Sequence, residues 1–195
     1  MSKGRPREFD LNRAVGQALD VFCRNGYEGA SVTELTDAMG INPPSLYAAF
    51  GSKEGLFRQA LERYVQERTE YWNKALNAPT ARKMLEQLLY ETAGFLTEDT
   101  EAPGCLLVKG ALSCSETTKT IQKELASRRA AGERAIRERL EQAKKSGELP
   151  PGIHPADFAR YIATVLEGMA VQAAGGATHK DLLRVAKTAL RVWPV

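Results

Sequence analysis

Residues 31–57 read SVTELTDAMGINPPSLYAAFGSKEGLF, and this stretch decides the fold. Ser31 and Glu34 have the spacing of a helix capping box, in which the serine hydroxyl accepts from the Glu34 backbone N–H and the carboxylate reaches back. A short helix is predicted to follow, with three apolar side chains directed inward: Val32, Leu35 and Met39. Gly40 then permits the tight turn that joins the two helices of a helix-turn-helix motif.

A second short helix is predicted after this turn. Asn42 is a favourable N-cap, and Pro43 at the first helical position loses nothing by lacking an N–H. Leu46 and Phe50 lie four residues apart and are expected to anchor the helix to a core, and Ser52 caps a third helix. The opposite side is free to enter a DNA major groove and comprises Asn42, Pro43, Ser45, Tyr47 and Ala48. The alternative, which periodicity leaves open, is that three short helices merely pack together.

The same residues carry a family resemblance. Its most specific part is the pattern Leu-Tyr-x-x-Phe-x-Ser-Lys-Glu-x-Leu at residues 46–56, and residues 26–27, 31–35 and 39–42 contribute to it. In these residues the chain closely resembles the N-terminal domain of the TetR family of transcriptional regulators. The resemblance is strong over about residues 8–60, and beyond them the chain matches the family only in the number and length of its helices.

The resemblance implies roles for the residues of this domain. Thr33, Tyr47 and Lys53 would contact DNA phosphates, and Ser31 lies beside Thr33 at the start of the same helix. Helix N-termini add backbone N–H donors for phosphates. Residues 42–48 would face the base edges. The implied partner is a double-stranded DNA operator.

Pro43-Pro44 departs from the common family pattern, in which a basic or small polar residue is followed by glycine. Two prolines remove two amide donors and leave Asn42 and Ser45 as the short polar base readers. Asn42 can pair with adenine, whereas Ala48 and the proline rings can only contact thymine methyl groups. We therefore expect few hydrogen bonds to bases and a larger contribution from DNA shape.

The first seven residues contain three cations and no anion. Among them, Arg5 and Arg7 flank a proline in a segment that is expected to be extended. Arginine side chains favour the narrow minor groove of A·T-rich DNA. This N-terminal arm is therefore predicted to bind the minor groove, and the alternative is a tail that only aids solubility.

Composition agrees with a globular protein but does not by itself indicate nucleic-acid binding. The chain has 195 residues, of which 43% are apolar and 26% charged, and its formal net charge is +3. Over residues 1–60 the positive and negative side chains cancel, so the functional inference depends on the motifs. No apolar run approaches the roughly 18 residues of a membrane span, and the polar N-terminus does not read as a secretory signal. We expect a cytoplasmic protein without a membrane partner.

Between turn signals, apolar residues recur with helical spacing, and no strand alternation appears. The predicted fold is all-α, with an N-terminal arm and helix-turn-helix domain over residues 1–55. Residues 56–195 form a second helical domain, to which the family resemblance assigns ligand binding and dimerisation. The nine predicted helices span residues 10–25, 32–39, 43–49, 53–77, 81–98, 104–114, 117–146, 155–174 and 179–192.

A palindromic operator needs two DNA-reading heads at a fixed spacing, so a homodimer is expected. The last two predicted helices suit a four-helix dimer interface, because small residues beside their apolar stripes permit close approach. Thr178 and Asp181 have capping-box spacing at the start of the final helix. The predicted interface residues are Phe158, Ile162, Val165, Met169, Leu182, Ala186 and Leu190. The alternative is that both helices pack wholly within one subunit.

The resemblance also implies a small-molecule inducer that releases the repressor from DNA by favouring another conformation. Six side chains of the middle helices are candidates for its pocket, although each would serve equally well as plain core: Trp72, Leu89, Phe95, Leu106, Leu112 and Phe158. No constellation of charges dictates a ligand class, and no cofactor is predicted.

Three cysteines without paired spacing make a disulfide framework unexpected. Cys105 is predicted at a helix N-terminus, where the pKa of a thiol can be lowered. Its surroundings resemble both electrophile-sensing members of the family and members without a redox role, so a thiol-sensing repressor is an alternative. Cys105 and Cys114 would lie about 13 Å apart on opposite sides of one helix, too far for a disulfide. Cys23 is expected in the core.

Two other function classes find little support in the sequence. An enzyme would need a phosphate loop, a metal-ligand cluster or a nucleophile–base motif, and the sequence contains none of these. No catalytic or metal-binding residue is predicted, since His154 and His179 stand alone at helix starts. A helical adaptor without DNA binding is the remaining hypothesis, and it predicts no salt-dependent affinity for DNA.

Overall fold

The computed structural model describes residues 10–112 and 118–193, and within them the chain forms α-helices and no β-strand. This confirms the predicted all-α fold. The helices of this part are α1 Leu11–Gly29, α2 Val32–Met39, α3 Pro43–Phe50, α4 Lys53–Leu76, α5 Ala81–Glu98, α6 Leu106–Leu112, α7 Lys119–Lys145, α8 Pro155–Ala174 and α9 His179–Leu190. None of these helices is both long and apolar enough to cross a lipid bilayer.

Two helices differ from their predicted bounds for clear backbone reasons. α1 extends to Gly29, but Gly26 has non-helical backbone angles, φ 70° and ψ −179°, so the break predicted after residue 25 is present as a kink within α1. α6 was expected from residue 104, where the backbone has a φ of 103° and cannot be helical. The carbonyl oxygen of Cys105 accepts from the N–H groups of Val108 and Lys109 at 3.0 and 2.9 Å. Cys105 therefore flanks α6 and does not lie inside it.

The chain divides into two compact units, Met1–Glu67 and Arg68–Val195. Each unit has its own buried side chains. The domain boundary predicted after residue 55 stays a prediction.

The first unit is held together by the inward faces of its helices. The Phe22 ring of α1 meets the Phe57 ring of α4 edge-on with 5.0 Å between centroids, and Tyr27 contacts Phe57 at the same distance. Leu35 of α2 and Leu46 of α3 are completely buried. Each such side chain contributes about 1.5–3 kcal/mol on burial. Apolar burial thereby holds the two short helices in place.

Polar contacts fix the start of α1. The Asp10 carboxylate accepts from the backbone N–H groups of Asn12 and Arg13 at 2.8 and 3.3 Å. Arg63 of α4 donates to the carbonyl oxygen of Asn12 at 2.8 Å and pairs with Glu67. The first turn of α1 is therefore capped and tied to α4 within this unit.

In the second unit α5 packs against α8 and α9, and α7 packs against α6 and α8. Arg129 of α7 donates to the Leu107 carbonyl oxygen of α6 at 2.5 Å and lies 3.6 Å from the Glu167 carboxylate of α8. One guanidinium thus links three helices. The capping box predicted from Thr178 and Asp181 is present at the start of α9.

Candidate nucleic-acid interface

The start of α2 carries the capping box predicted from the sequence. Ser31 Oγ accepts from the Glu34 N–H at 3.1 Å, and Glu34 Oε2 accepts from the Ser31 N–H at 2.8 Å. Hydrogen bonds from the Ser31 backbone and then from its side chain lower the pKa of Glu34. Within the described residues the N–H groups of Val32 and Thr33 have no acceptor. The positive end of α2 can therefore donate two N–H groups to an anion.

The start of α3 offers no such donors. Pro43 and Pro44 lack an N–H, the Ser45 N–H is bound by Asn42 Oδ1 at 2.9 Å, and the Leu46 N–H is bound by the Asn42 carbonyl at 3.2 Å. None of the four residues of the first turn therefore has a backbone N–H free for a phosphate. The expected contribution of helix N-termini to phosphate binding is available from α2 and not from α3.

This cap also changes what Asn42 can read. Bidentate pairing with adenine uses both the side-chain carbonyl and the amide nitrogen, but the carbonyl already accepts from Ser45. The exposed Nδ2 group remains available with two donors. In this conformation Asn42 can donate from Nδ2 to purine acceptors such as N7 and O6, and bidentate pairing with adenine needs the second lone pair of its carbonyl oxygen.

The turn between α2 and α3 is built around Gly40, as predicted. Gly40 has φ 64° and ψ 32°, in the left-handed region, where other residues are strained by roughly 1–2 kcal/mol. The following Ile41 N–H donates to the Thr36 carbonyl at 3.0 Å. These contacts set the direction in which α3 leaves the turn.

The side of α3 that faces away from the core is mostly apolar. Leu46 and Phe50 are buried, as predicted, and Ser45 is half-buried. Tyr47 is 49% exposed and is the largest side chain on the opposite side. The exposed face consists of Asn42, Pro43, Pro44, Tyr47 and Ala48. It offers ring and methyl surfaces, one phenol and one amide.

Lys53 at the first residue of α4 is held by an aromatic ring. Its Nζ lies 4.7 Å from the centroid of the Tyr27 ring, a cation–π contact of about 0.5–1 kcal/mol. Burial lowers the pKa of Lys53, while the carboxylates of Glu28 and Glu34 favour its charged form. The sequence indicated Lys53 but not its support, because the contact with Tyr27 joins residues that are distant along the chain.

Gly55 is a position that the sequence analysis missed. Ser52 caps α4 as predicted, with its Oγ accepting from the Gly55 N–H at 3.0 Å. A Cβ atom on Gly55 would lie 2.1 Å from the carbonyl oxygen of Phe50. The first turn of α4 therefore packs on the last turn of α3 more closely than any side chain allows. A glycine directly after a capped Lys-Glu start was the available signal.

The chain is similar to known proteins over most of its length. Residues 15–60 match the bacterial regulatory proteins of the tetR family, and residues 81–189 match the tetracyclin repressor-like C-terminal domain. The HTH-type transcriptional repressor ComR of Escherichia coli K12 is 34% identical over 198 residues, which cover 99% of this chain and 93% of ComR. The chain belongs to the TetR family.

Other TetR-type proteins are similar to this chain. The HTH-type transcriptional repressor BdcR of Escherichia coli K12 is 39% identical over 108 residues, or 55% of each chain. The TetR family regulator CifR was solved as a cysteine mutant in complex with 26-base-pair double-strand operator DNA. It superposes with a TM-score of 0.92 at 43% identity, covering 97% of this chain and 100% of CifR.

The residues predicted to form a ligand pocket of this TetR-family chain have different environments. Leu89, Leu106 and Phe158 are buried, and Trp72 is half-buried. Phe95 lines an open groove of about 690 Å³. The side chain of Leu112 lies outside the described residues, as do Arg5 and Arg7 of the arm. The pocket and the minor-groove arm stay predictions.

The apolar stripes predicted as a dimer interface pack mainly inside the protomer. Six of the seven side chains are buried within the single chain, and Val165 is half-buried; the six are Phe158, Ile162, Met169, Leu182, Ala186 and Leu190. Phe158 and Leu190 keep 8% and 7% of their surface exposed, and the predicted interface stays a prediction. Outward-facing apolar residues on the same helices are Val171, 45% exposed, and Val185, 39% exposed, and Gly168 is exposed as well.

The Cys105 side chain is only 6% exposed. A thiol reagent would reach it only after a local opening of the second unit. Cys23 is half-buried, and Cys114 lies outside the described residues. The thiol-sensing alternative stays a prediction. Among residues 10–112 and 118–193, no group of three potential ligands is arranged to hold a metal ion.

Replacing Ser31 should separate capping from phosphate binding. Ser31→Ala removes the cap of α2 and is expected to destabilise the first unit by about 1 kcal/mol. The pKa of Glu34 is lowered in the folded state. Its contribution to folding stability is therefore present above the ordinary carboxyl pKa and is lost as the pH falls through the lowered value. The Ala variant should therefore lose less stability on acidification than the wild type, as measured by urea unfolding at several pH values.

Ser31→Asp is the matched variant, since aspartate also caps helices. It should keep most of the stability yet weaken DNA binding, because it places a carboxylate at the proposed phosphate site. Equal DNA affinity for Ser31→Asp and the wild type would argue against a phosphate at the start of α2.

Proposed function

We propose that the chain is a DNA-binding transcriptional repressor that places α3 in the major groove of a palindromic operator. The observation that carries this proposal is the exposed face of α3, which lies in the same compact unit as the unpaired N–H groups of α2 and the ammonium of Lys53. A major groove admits an α-helix between two anionic walls. The repressor ComR and the operator complex of CifR support the same function.

The proposed contacts fall into two groups. The first group binds phosphates and thereby positions the DNA-binding head. It comprises the N–H groups of Val32 and Thr33, the hydroxyls of Ser31, Thr33 and Tyr47, and the Lys53 ammonium. The other group faces base edges and comprises Asn42, Pro43, Pro44, Ser45 and Ala48. Since few hydrogen-bonding groups face the bases, DNA shape and thymine methyl contacts contribute much of the specificity.

The proposal includes a homodimer and a small-molecule effector, with DNA binding in residues 1–55 and dimerisation and effector binding in residues 56–195. An interface on α8 and α9 would cover Val165, Val171 and Val185. Effector binding is supported by the open groove of about 690 Å³ in the second unit, which Phe95 of the predicted pocket lines. A regulator of this type is not an enzyme and acts in the cytoplasm, where bacterial DNA lies.

The proposal is tested by titrating fluorescent DNA from upstream of the chain's own gene with the purified protein. Fluorescence anisotropy is recorded at several salt concentrations with nonspecific competitor. The expected result is saturable binding that resists competitor and weakens as salt rises, with two protomers per site. Affinity equal to that for random DNA along the whole upstream region would contradict a repressor of its own gene and favour the helical adaptor.

Removal of residues 1–7 should weaken operator binding. The arm holds Arg5 and Arg7, and loss of minor-groove cations is expected to lower the affinity about tenfold and to flatten its salt dependence. Affinities of the truncated and full chains are measured at a series of salt concentrations, with Arg5→Ala/Arg7→Ala as a full-length comparison. An unchanged affinity and salt slope in both variants would indicate that the arm does not touch DNA.

A further inference from the structure

The second unit has an open groove of about 690 Å³ that none of the DNA-binding residues lines. Most of its lining side chains come from α5, and the first turns of α9 and Tyr71 of α4 complete it. Its volume lies in the range of small-molecule sites. The groove combines two kinds of side chain, aromatic rings and carboxylates, which together indicate what it can bind.

The aromatic part consists of Tyr71, Tyr90 and Phe95. The Tyr71 and Phe95 rings stack with 6.0 Å between centroids and an angle of 29° between their planes. Tyr90 of α5 is exposed and also lines the groove. Aromatic faces carry negative electrostatic potential, so rings beside a groove attract a cation as well as an apolar body.

The charged part consists of Glu91 and Glu98, which are seven residues apart and therefore lie on the same side of α5, about two turns from each other. Both are exposed and line the groove. Ion pairs within α5 and α9 involve Glu86 and Asp181 instead. With about 10 Å between their backbones, the two carboxylates flank an elongated ligand and do not share one metal ion.

His179 completes the polar lining of the groove. Its Nδ1 lies 3.4 Å from Thr97 Oγ1, which also donates to the Ala93 carbonyl oxygen at 2.9 Å. The carboxylates of Glu91 and Glu98 are hydrogen-bond acceptors, so they complement a ligand that donates hydrogen bonds.

Gly94 lies in the middle of the α5 part of the groove. A Cβ atom there would meet only His179 Cε1, at 3.8 Å, which is an ordinary contact. Because a glycine inside a helix lowers its stability relative to alanine, the packing of the second unit does not require Gly94. Its missing side chain instead leaves space between the carboxylates and the rings.

We propose that this groove binds an organic cation, consisting of an ammonium group on an apolar body. Glu91 and Glu98 supply the charge complement, and the rings of Tyr71, Tyr90 and Phe95 cover the apolar part. The proposal specifies the chemical class of the small-molecule partner and in that respect rests on the proposed function. Binding to the groove itself needs no DNA, so the two proposals can fail separately.

The test uses the full chain without DNA and isothermal titration calorimetry. The probes are phenylbutylamine, which is protonated at neutral pH, the quaternary ion benzyltrimethylammonium, and phenylbutanol as the neutral counterpart of the amine. At least one ammonium probe should bind saturably, and phenylbutylamine should bind at least about tenfold more tightly than phenylbutanol. Glu91→Gln/Glu98→Gln should lower ammonium affinity about tenfold.

Two further variants make the result specific to the groove. Glu138→Gln/Glu141→Gln removes the same charge from α7 and should leave ammonium binding unchanged. Gly94→Leu fills the space beside His179 and should raise the melting temperature while it abolishes binding, a combination that a purely structural role does not produce. The proposal is overturned if neither ammonium probe binds, if amine and alcohol bind equally, or if Glu91→Gln/Glu98→Gln binds like the wild type. In each of these cases operator binding is unaffected.

Discussion

Lys53→Glu is expected to lower the affinity of the dimer for its operator about a thousandfold. Each of two heads loses the ammonium that is proposed to face a phosphate and gains a repelled carboxylate, at about 2 kcal/mol per head. The effect should be similar on operator and random DNA, because phosphate contacts carry no sequence information. Anisotropy titrations at constant salt measure it.

Two other substitutions serve as controls for this prediction. Lys53→Gln only removes the charge and should reduce the slope of log affinity against log salt by about two, one for each head. Lys123 is an exposed residue of α7 in the second unit. Lys123→Glu makes the same change of net charge there and should alter the affinity for DNA little. If Lys53→Glu stays within threefold of the wild type while its circular-dichroism melt is unchanged, the ammonium over Tyr27 does not contact DNA.

Gly55→Ala is expected to destabilise the first unit by about 3 kcal/mol, at the upper end of overpacking effects. The new methyl group would lie 2.1 Å from the Phe50 carbonyl oxygen, and backbone cannot move aside as a flexible side chain can. α3 and α4 must separate, which also displaces Lys53. Urea unfolding and amide hydrogen exchange in residues 10–67 should both report the loss.

Gly29→Ala is the control in the same unit. Its Cβ atom would meet only the Cβ of Asn25, at 3.4 Å, so exchange rates and operator affinity should stay near those of the wild type. Wild-type stability of Gly55→Ala would mean that the close approach of α4 to α3 is not needed. The second unit should keep its hydrogen-exchange protection in both variants.

Local features of the sequence predicted the helix starts well. The boxes at Ser31–Glu34 and Thr178–Asp181 need only residues three apart, and both are formed. Asn42 was predicted both to cap α3 and to read adenine, and these two roles compete for the two lone pairs of one carbonyl oxygen. That competition becomes visible only when the Ser45 N–H is located.

Features that join distant residues could not be predicted. The spacing of Ile162, Met169 and Leu182 marks an apolar face, but periodicity does not indicate whether the same chain or a partner covers it. The protomer covers these side chains itself. The ring beneath Lys53 and the groove on α5 likewise depend on how helices pack against each other.

The first turn of α3, which has no free backbone N–H group, has a consequence for how the protein associates with DNA. Its prolines and the Asn42 cap satisfy the helix end without any external acceptor, so the reading helix is ordered before DNA arrives. Its conformational entropy is lost when the protein folds and not when the complex forms. A head of this kind docks as a rigid body, and little of the heat-capacity change on binding then comes from folding of the helix itself.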